Sequence, residues 1–337
     1  MHLDPSLDRV FLGETTEPNA SESQMWNLSD GRYGLMYHIG TMPGDLGLWH
    51  NALSINCPDG SVLATKLVGR NNTGAFGCQN LFSRTEEPYK AWTIEFDGAM
   101  RRYEPRRLAE GPGEDGAHVS VRVRLNLRAS HPVWEPGARS DEAKDSIFHT
   151  FAKMHHEQAL IFEGSIEIGS TKIPYAGVGH RDHSRGPRDM RNLLRGAWFN
   201  ATFESGWAFL GFWGEDQRGV VERSAVFEAG NIIVGSMEHD AGLSTTEAEP
   251  RAFEVRLRTD DGKRRVLRVK CTQEVNWFSD GLSEWCVGSS LSDPTYYNWA
   301  MAFADFECEG EKGTGFIDRG ALAKLLRRPQ VGSQKHD

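Results

Sequence analysis

Val119-Ser120-Val121-Arg122-Val123-Arg124-Leu125-Asn126-Leu127-Arg128 alternates apolar and polar residues without a break. Successive side chains of a strand point to opposite faces, so this run buries one face and wets the other. Upstream, Trp92-Thr93-Ile94-Glu95-Phe96 repeats the pattern and runs into Asp97-Gly98, which reads as a turn. Downstream, Phe253 to Arg258 leads through Asp260-Asp261-Gly262 into Val266-Leu267-Arg268-Val269, a hairpin signature. Asp59-Gly60 and Ser279-Asp280-Gly281 mark further turns, and the 36 glycines suit a turn-rich chain. The clearest helical signal is Ile317 to Leu326, with Asp318 as a cap and Pro329 as a stop. The fold class is therefore all-β, with two barrel or sandwich domains and a short C-terminal helix.

The aromatic, glycine-rich stretch Tyr33–Ile55 has an echo at Trp198–Trp213, and alternating strands follow each. The expected organisation is a polar segment over 1–24, one β domain over 25–185, a second over 186–330, and a frayed tail over 331–337. At 337 residues the chain can bury large cores. Its net charge of −9 argues against a phosphate-binding surface, so no nucleic-acid partner is expected. No run approaches the ~20 apolar residues that cross a bilayer, and the first residues lack the pattern of an export signal. Five scattered cysteines form neither a disulfide framework nor a zinc site, which fits a reduced, cytoplasmic setting. A homodimer is compatible with the sequence. Ten Trp and 17 Phe fit a large β core, where aromatics pack well, and equally the wall of a ligand pocket, which apolar and aromatic groups line.

The densest polar run is Gly177-Val178-Gly179-His180-Arg181-Asp182-His183-Ser184-Arg185-Gly186-Pro187-Arg188-Asp189, preceded by His155-His156-Glu157-Gln158 and a strand-like stretch. So many ionisable groups must pair if they are buried. Asp182 and Asp189 can each accept a guanidinium fork, and Arg181, Arg185 and Arg188 supply the donors. A histidine beside a carboxylate is held in one tautomer and can serve as acid or base. The plainer alternative is a salt-bridged lock between two domains. His180 and His183 lie off any H-E-x-x-H helix, so no metal is expected. Ser184 has no nucleophile elbow and Gly177-Val178-Gly179 opens no dinucleotide loop.

The run Gly179 to Asp189 resembles the central signature of the hydroxyneurosporene synthase (carotenoid 1,2-hydratase)-like, AttH-like superfamily. It is closest to a bacterial branch reading G-x-G-x-R-D-H-S-x-G-x-R-D. The resemblance implies two lipocalin-like, calycin-related β domains with a hydrophobic ligand between or within them, and chemistry without metal or organic cofactor. In the carotenoid hydratases the His of the Asp-His pair and a Trp two residues on belong to the active site; these positions fall on His183 and Arg185. A cation where an aromatic would stabilise a carbocation departs from that pattern and better suits a carbonyl-bearing or anionic substrate.

These readings make the chain a cofactor-independent lyase or hydratase acting on a terpenoid, steroid or polycyclic molecule. An isomerase or cyclase on the same substrates is the alternative, and a carrier without chemistry is a third. His183 would be the acid/base, oriented by Asp182, with Arg185 or Arg188 holding a substrate oxygen. His180, His156, Trp198, Phe199, Trp207, Phe209, Trp213 and Trp49 are candidate substrate contacts. Arg181, Asp189 and Glu157 would form the supporting network.

Overall fold

The computed structural model describes residues 3–13, 15–71, 73–104, 116–136, 153–187, 193–244, 250–279 and 286–326. Arg188, Asp189, Pro329 and the tail over 331–337 lie outside them.

Strands build two closed antiparallel barrels. The first is a meander of β1 (Ala20–Ser29), β2 (Gly34–Met42), β3 (Asp45–Asn56) and β4 (Val62–Arg70), followed by β5 (Phe76–Cys78), β6 (Leu81–Glu87), β7 (Ala91–Tyr103), β8 (His118–Ala129), β9 (Met154–Ile168) and β10 (Thr171–Pro187). Pairing of β4 with β7 and of β1 with β10 closes eight of these strands, and β6 and β5 extend the sheet beyond β7. The second barrel runs β11 (Leu193–Phe203), β12 (Ala208–Asp216), β13 (Gly219–Glu228), β14 (Asn231–His239), β15 (Ala252–Thr259), β16 (Arg264–Ser279), β17 (Cys286–Val287), β18 (Tyr297–Cys308) and β19 (Glu311–Leu322). Here β19 returns to β11, β15 pairs with β16, and β17 sits on the edge of β16.

The alternation that decided the fold class is literal in β8, where Val121, Val123, Leu125 and Leu127 enter the first core and the residues between them face solvent. Closure removes sheet edges, which suits strands carrying one apolar face. Gly60 and Gly262 turn with φ of +85° and +86°, a region open to glycine, as the Asp-Gly signals require.

Three local expectations change. Asp97-Gly98 is no turn: β7 runs straight through it, and the Asn80 amide reaches across to the Asp97 carbonyl where a Cβ on Gly98 would otherwise sit. Residues 20–24, read as part of a polar loop, open β1. This strand is buried on both faces, so Ser21, Glu22, Ser23 and Gln24 carry no alternation to read. The helix expected over 317–326 is the second half of β19. Ile317 packs in the second core, while Phe316 and Leu322, at alternate positions, join the apolar layer between the barrels. Only a 3-10 turn, Ala323–Leu325, follows.

That layer joins Met25, Met36 and Ala52 of the first barrel to Trp277, Trp299, Met301, Phe303 and Phe316 of the second. Gly34 marks its tightest point, since a Cβ there would lie 2.1 Å from the Phe303 ring.

Candidate active site

Because β10 is a strand, its polar run is dealt alternately to two faces. Arg181, His183 and Arg185 point into the first barrel, and His180, Asp182 and Ser184 point out toward the second. Strand β9 follows in register, with His156 opposite His183 and Arg181 opposite Gln158 on the inner face, and Glu157 opposite Asp182 and His155 opposite Ser184 on the outer.

The inner group is closed. A 3-10 turn at Pro5–Asp8 carries Asp8 into the barrel mouth, where its carboxylate accepts from the Trp92 indole (3.1 Å) and the Tyr89 amide (2.6 Å) and pairs with Arg181 (2.7 Å). Arg181 is fully buried over the Trp92 ring, 4.1 Å from its centroid. Burial alone would raise the Asp8 pKa, but Arg181 and His183 together draw it down to about 2. Glu22 receives His183 Nε2 at 2.9 Å, Arg185 at 2.5 and 2.9 Å, and the Phe11 amide at 2.9 Å. These donors outweigh burial and lower its pKa as well. His156 meets Glu135 at 3.0 Å, and burial beside His183 and Arg181 holds its pKa at about 3. The result is a plug of paired charges that ties residues 4–11 across the barrel mouth.

The outer group has the opposite electrostatics. Glu157 is fully buried, with His155 Nε2 at 2.6 Å from one oxygen and His180 Nε2 at 2.6 Å from the other, the latter contact lacking hydrogen-bond alignment. Burial and the neighbouring Asp182 charge push the Glu157 pKa well above the carboxylate range. Burial holds His180 at about 3, so it is neutral at physiological pH. Asp318 on β19 lies beside Trp198 in the sheet register, and burial together with Asp182 raises its pKa to about 7. Ser184 meets His155 Nδ1 at 2.7 Å. The Trp198 ring packs against His155 (5.1 Å) and Phe212 (4.6 Å). Two carboxyls that hold protons thus stand with a third carboxylate between the barrels, under an aromatic wall. Among the described residues, no group of three or more His, Cys, Asp or Glu side chains is arranged to hold a metal ion.

The expected site residues therefore separate. His183 and Asp182 do not act on one another as a pair: adjacent in a strand, they face opposite ways, and His183 is held by Glu22, with Asp8 3.7 Å from its other nitrogen. Arg185 and His156 go with His183, as does Arg181. Glu157, His180 and Trp198 join Asp182. Trp49 is in the first core, edge-on to Phe76. Phe199 and Phe209 are in the second core, with Trp213 packed against it. Trp207 stacks on Phe203 and donates to Glu311 (3.0 Å) at the rim of that barrel. Sequence reasoning missed Asp8, Glu22 and Asp318. The first two sat in a segment read as loop and the third was read as a helix cap.

Paired closed eight-stranded antiparallel barrels define a two-domain, lipocalin-like fold. The chain belongs to the family described as domain of unknown function DUF7064, whose model matches residues 13–320. No curated protein sequence matches it. Its fold is similar to that of a Nitrosomonas europaea protein described as a candidate AttH (13% identity, TM-score 0.59, 91% of this chain and 94% of that one). It is also similar to CghA bound to Sch210972 (9%, 0.58, 90% and 89%) and to kievitone hydratase from Nectria haematococca (10%, 0.51, 95% and 95%). Among the described residues no helix is long and apolar enough to cross a membrane.

Proposed function

We propose that the chain is a cofactor-independent lyase that adds or removes water on a hydrophobic small molecule of terpenoid, steroid or polycyclic type, between its two barrels. The carrying observation is Asp318, a carboxyl that keeps its proton to about pH 7 beside the charged Asp182. A neutral acid and a carboxylate base held together are the groups that water addition or elimination requires. Asp318, backed by the protonated Glu157, delivers the proton, and Asp182 takes one from water or from substrate carbon. His155 and His180 hold Glu157 in place, and Trp198 and Phe212 pack against the apolar skeleton. His183 and Arg185 are positioning residues in this scheme. The same acid without water would serve an isomerase or cyclase, and the fold shared with a hydratase and with CghA supports placing both chemistries on this framework.

The test incubates wild type and Asp318→Asn with an extract of the source cells and follows apolar compounds by mass spectrometry. The expected result is a wild-type-dependent gain or loss of one water, slowed at least ~10²-fold in the variant. The wild-type rate should fall as pH rises past about 7 and Asp318 loses its proton. A product of unchanged mass but altered retention favours the isomerase. Equal conversion by both proteins removes Asp318 from the chemistry, and retention of a compound without conversion by either supports a carrier.

A further inference from the structure

An open cleft of about 690 Å³ lies between Val178 on β10 of the first barrel and the outer face of four adjacent strands of the second, β16, β18, β19 and β11. Spaces of roughly 300–1,000 Å³ take one small molecule. Residues opposite one another in a sheet share a face, so the cleft floor is a grid of two rows. One row runs from Arg268 through Glu307 to Lys312, each opposite the next, with Glu204 beyond. The other row, nearer the apolar layer, runs from Lys270 through Asp305 and Thr314 to Thr202, again each opposite the next. Phe203, Val269 and Phe306 also border the cleft, but their side chains belong to the second core, so the floor itself is polar.

Opposite charges that face each other across strands close into bridges on the first barrel, at Asp97–Arg122 (2.8 Å) and Glu95–Arg124 (3.2 Å), and at Arg268–Glu307 (2.5 Å) in this cleft. Lys270 and Asp305 stand in the same relation and make no bridge among the described residues. Nor do Lys312 and Glu204, where the Glu204 amide donates to the Lys312 carbonyl. The hydroxyls of Thr202 and Thr314, a half-buried cross-strand pair, likewise make no hydrogen bond among the described residues. The cleft thus presents ammonium groups, carboxylates and hydroxyls that the protein itself does not use, beside one apolar wall. Its three cations face three carboxylates, so it carries no net charge.

We propose that the cleft binds a neutral polyhydroxylated ring, either a free sugar or the glycosyl group of a glycoside. Every hydroxyl both donates and accepts. Two neighbouring hydroxyls of a sugar ring can therefore accept from an ammonium and donate to the carboxylate that stands about 5 Å from it across the strands. Such charge-assisted bonds are about twice as strong as neutral ones. Lys270 with Asp305, and Lys312 with Glu204, take the hydroxyl edge of the ring, Thr202 and Thr314 bond beneath it, and Val178 meets its C–H face. Ile161, opposite Val178 on β9 and 49% exposed, extends that apolar surface for the aglycone of a glycoside. A phosphate or sulfate would meet as many carboxylates as cations, and a wholly apolar compound would leave the polar floor unmatched. The site is separate from the acid cluster and does not depend on the reaction assigned to it.

The experiment titrates the full chain with the para-nitrophenyl glycosides of glucose, galactose, mannose and xylose and with the matching free sugars, read by saturation-transfer NMR. At least one of these compounds should bind saturably in the millimolar range. A glycoside that binds more tightly than its own sugar identifies a glycoside as the ligand; equal binding identifies the free sugar. Asp305→Ala and Thr314→Val should each weaken that binding about tenfold, as loss of one ligand hydrogen bond does. Both should leave the melting temperature unchanged, because the two side chains face the cleft and not a core. Absence of saturable binding by every compound overturns the proposal, as does binding that neither substitution weakens. Preferential binding of inorganic phosphate, or of the zwitterion glycylglycine, overturns it in favour of a charged ligand.

Discussion

Replacing Asp318 with Asn should flatten the pH dependence of stability above the acid range. In the folded chain Asp318 titrates near 7, whereas its ordinary value is 3.8. A carboxyl whose folded pKa is raised binds a proton in the native state that the unfolded chain has already lost. Its contribution to stability is complete below the ordinary value and disappears as pH rises to 7. Between about pH 5.5 and 8.5, one and a half pH units fall within that window. At 1.36 kcal/mol per unit, wild type should lose about 2 kcal/mol over this span through this group. Asn is the neutral isostere of protonated Asp, so the variant should match wild type only near or below pH 3.8, be more stable by about 2 kcal/mol at pH 5.5, and by about 4 kcal/mol at pH 8.5, a gap that widens by about 2 kcal/mol over the span. Urea unfolding of both proteins at the two pH values measures this directly as a difference of differences, in which His156, His180 and every other titrating group common to both chains drops out. A stability gap between the two proteins that stays the same at both pH values would refute the argument that Asp318 is held neutral, and with it the proposed acid.

The inner plug and the barrel junction give two further expectations. Asp8→Ala leaves Arg181 buried without its carboxylate and should cost about 3–5 kcal/mol, seen in denaturant midpoints; a loss under about 1 kcal/mol would mean that the pair adds nothing beyond a surface bridge. In the unmutated protein Asp8 titrates near 2, below its ordinary 3.8, so its contribution is present above 3.8 and is lost as pH falls toward 2. Gly34→Ala sets a Cβ 2.1 Å from the Phe303 ring and should destabilise by about 1–3 kcal/mol through overpacking between the barrels; a neutral melt would show that the barrels can separate there without loss.

The fold class was legible wherever one strand face meets water. Strands β8 and β15 announce themselves, and the Asp59-Gly60 and Asp260–Gly262 turns are where the sequence puts them. It was illegible where a second barrel covers the outer face. The start of β1 and the second half of β19 are covered on both sides, so residues 20–24 read as polar loop and the run from Ile317 as helix. That is also why the acid cluster was half seen. Its β9 and β10 members stand in a dense polar run, but Asp318 lies far along the chain, between an isoleucine and an arginine that face the opposite way.

The same alternation changes what the dense run means. Read as a line of text, Arg181-Asp182-His183 suggests a relay in which each residue passes charge to the next. Read as a strand, it serves two unlike environments, separated by the thickness of one sheet. Inside, arginines and a histidine face Asp8 and Glu22, whose pKa values are lowered and which stay charged. Outside, Asp182 faces Glu157 and Asp318, whose pKa values are raised. Removing the charge of Asp182 should therefore lower both outer pKa values while leaving the plug intact, and Asp182→Asn should cost activity well before it costs stability. A domain-locking role for Asp182 would demand the reverse order, and a melt and a rate measured on that one variant decide between them.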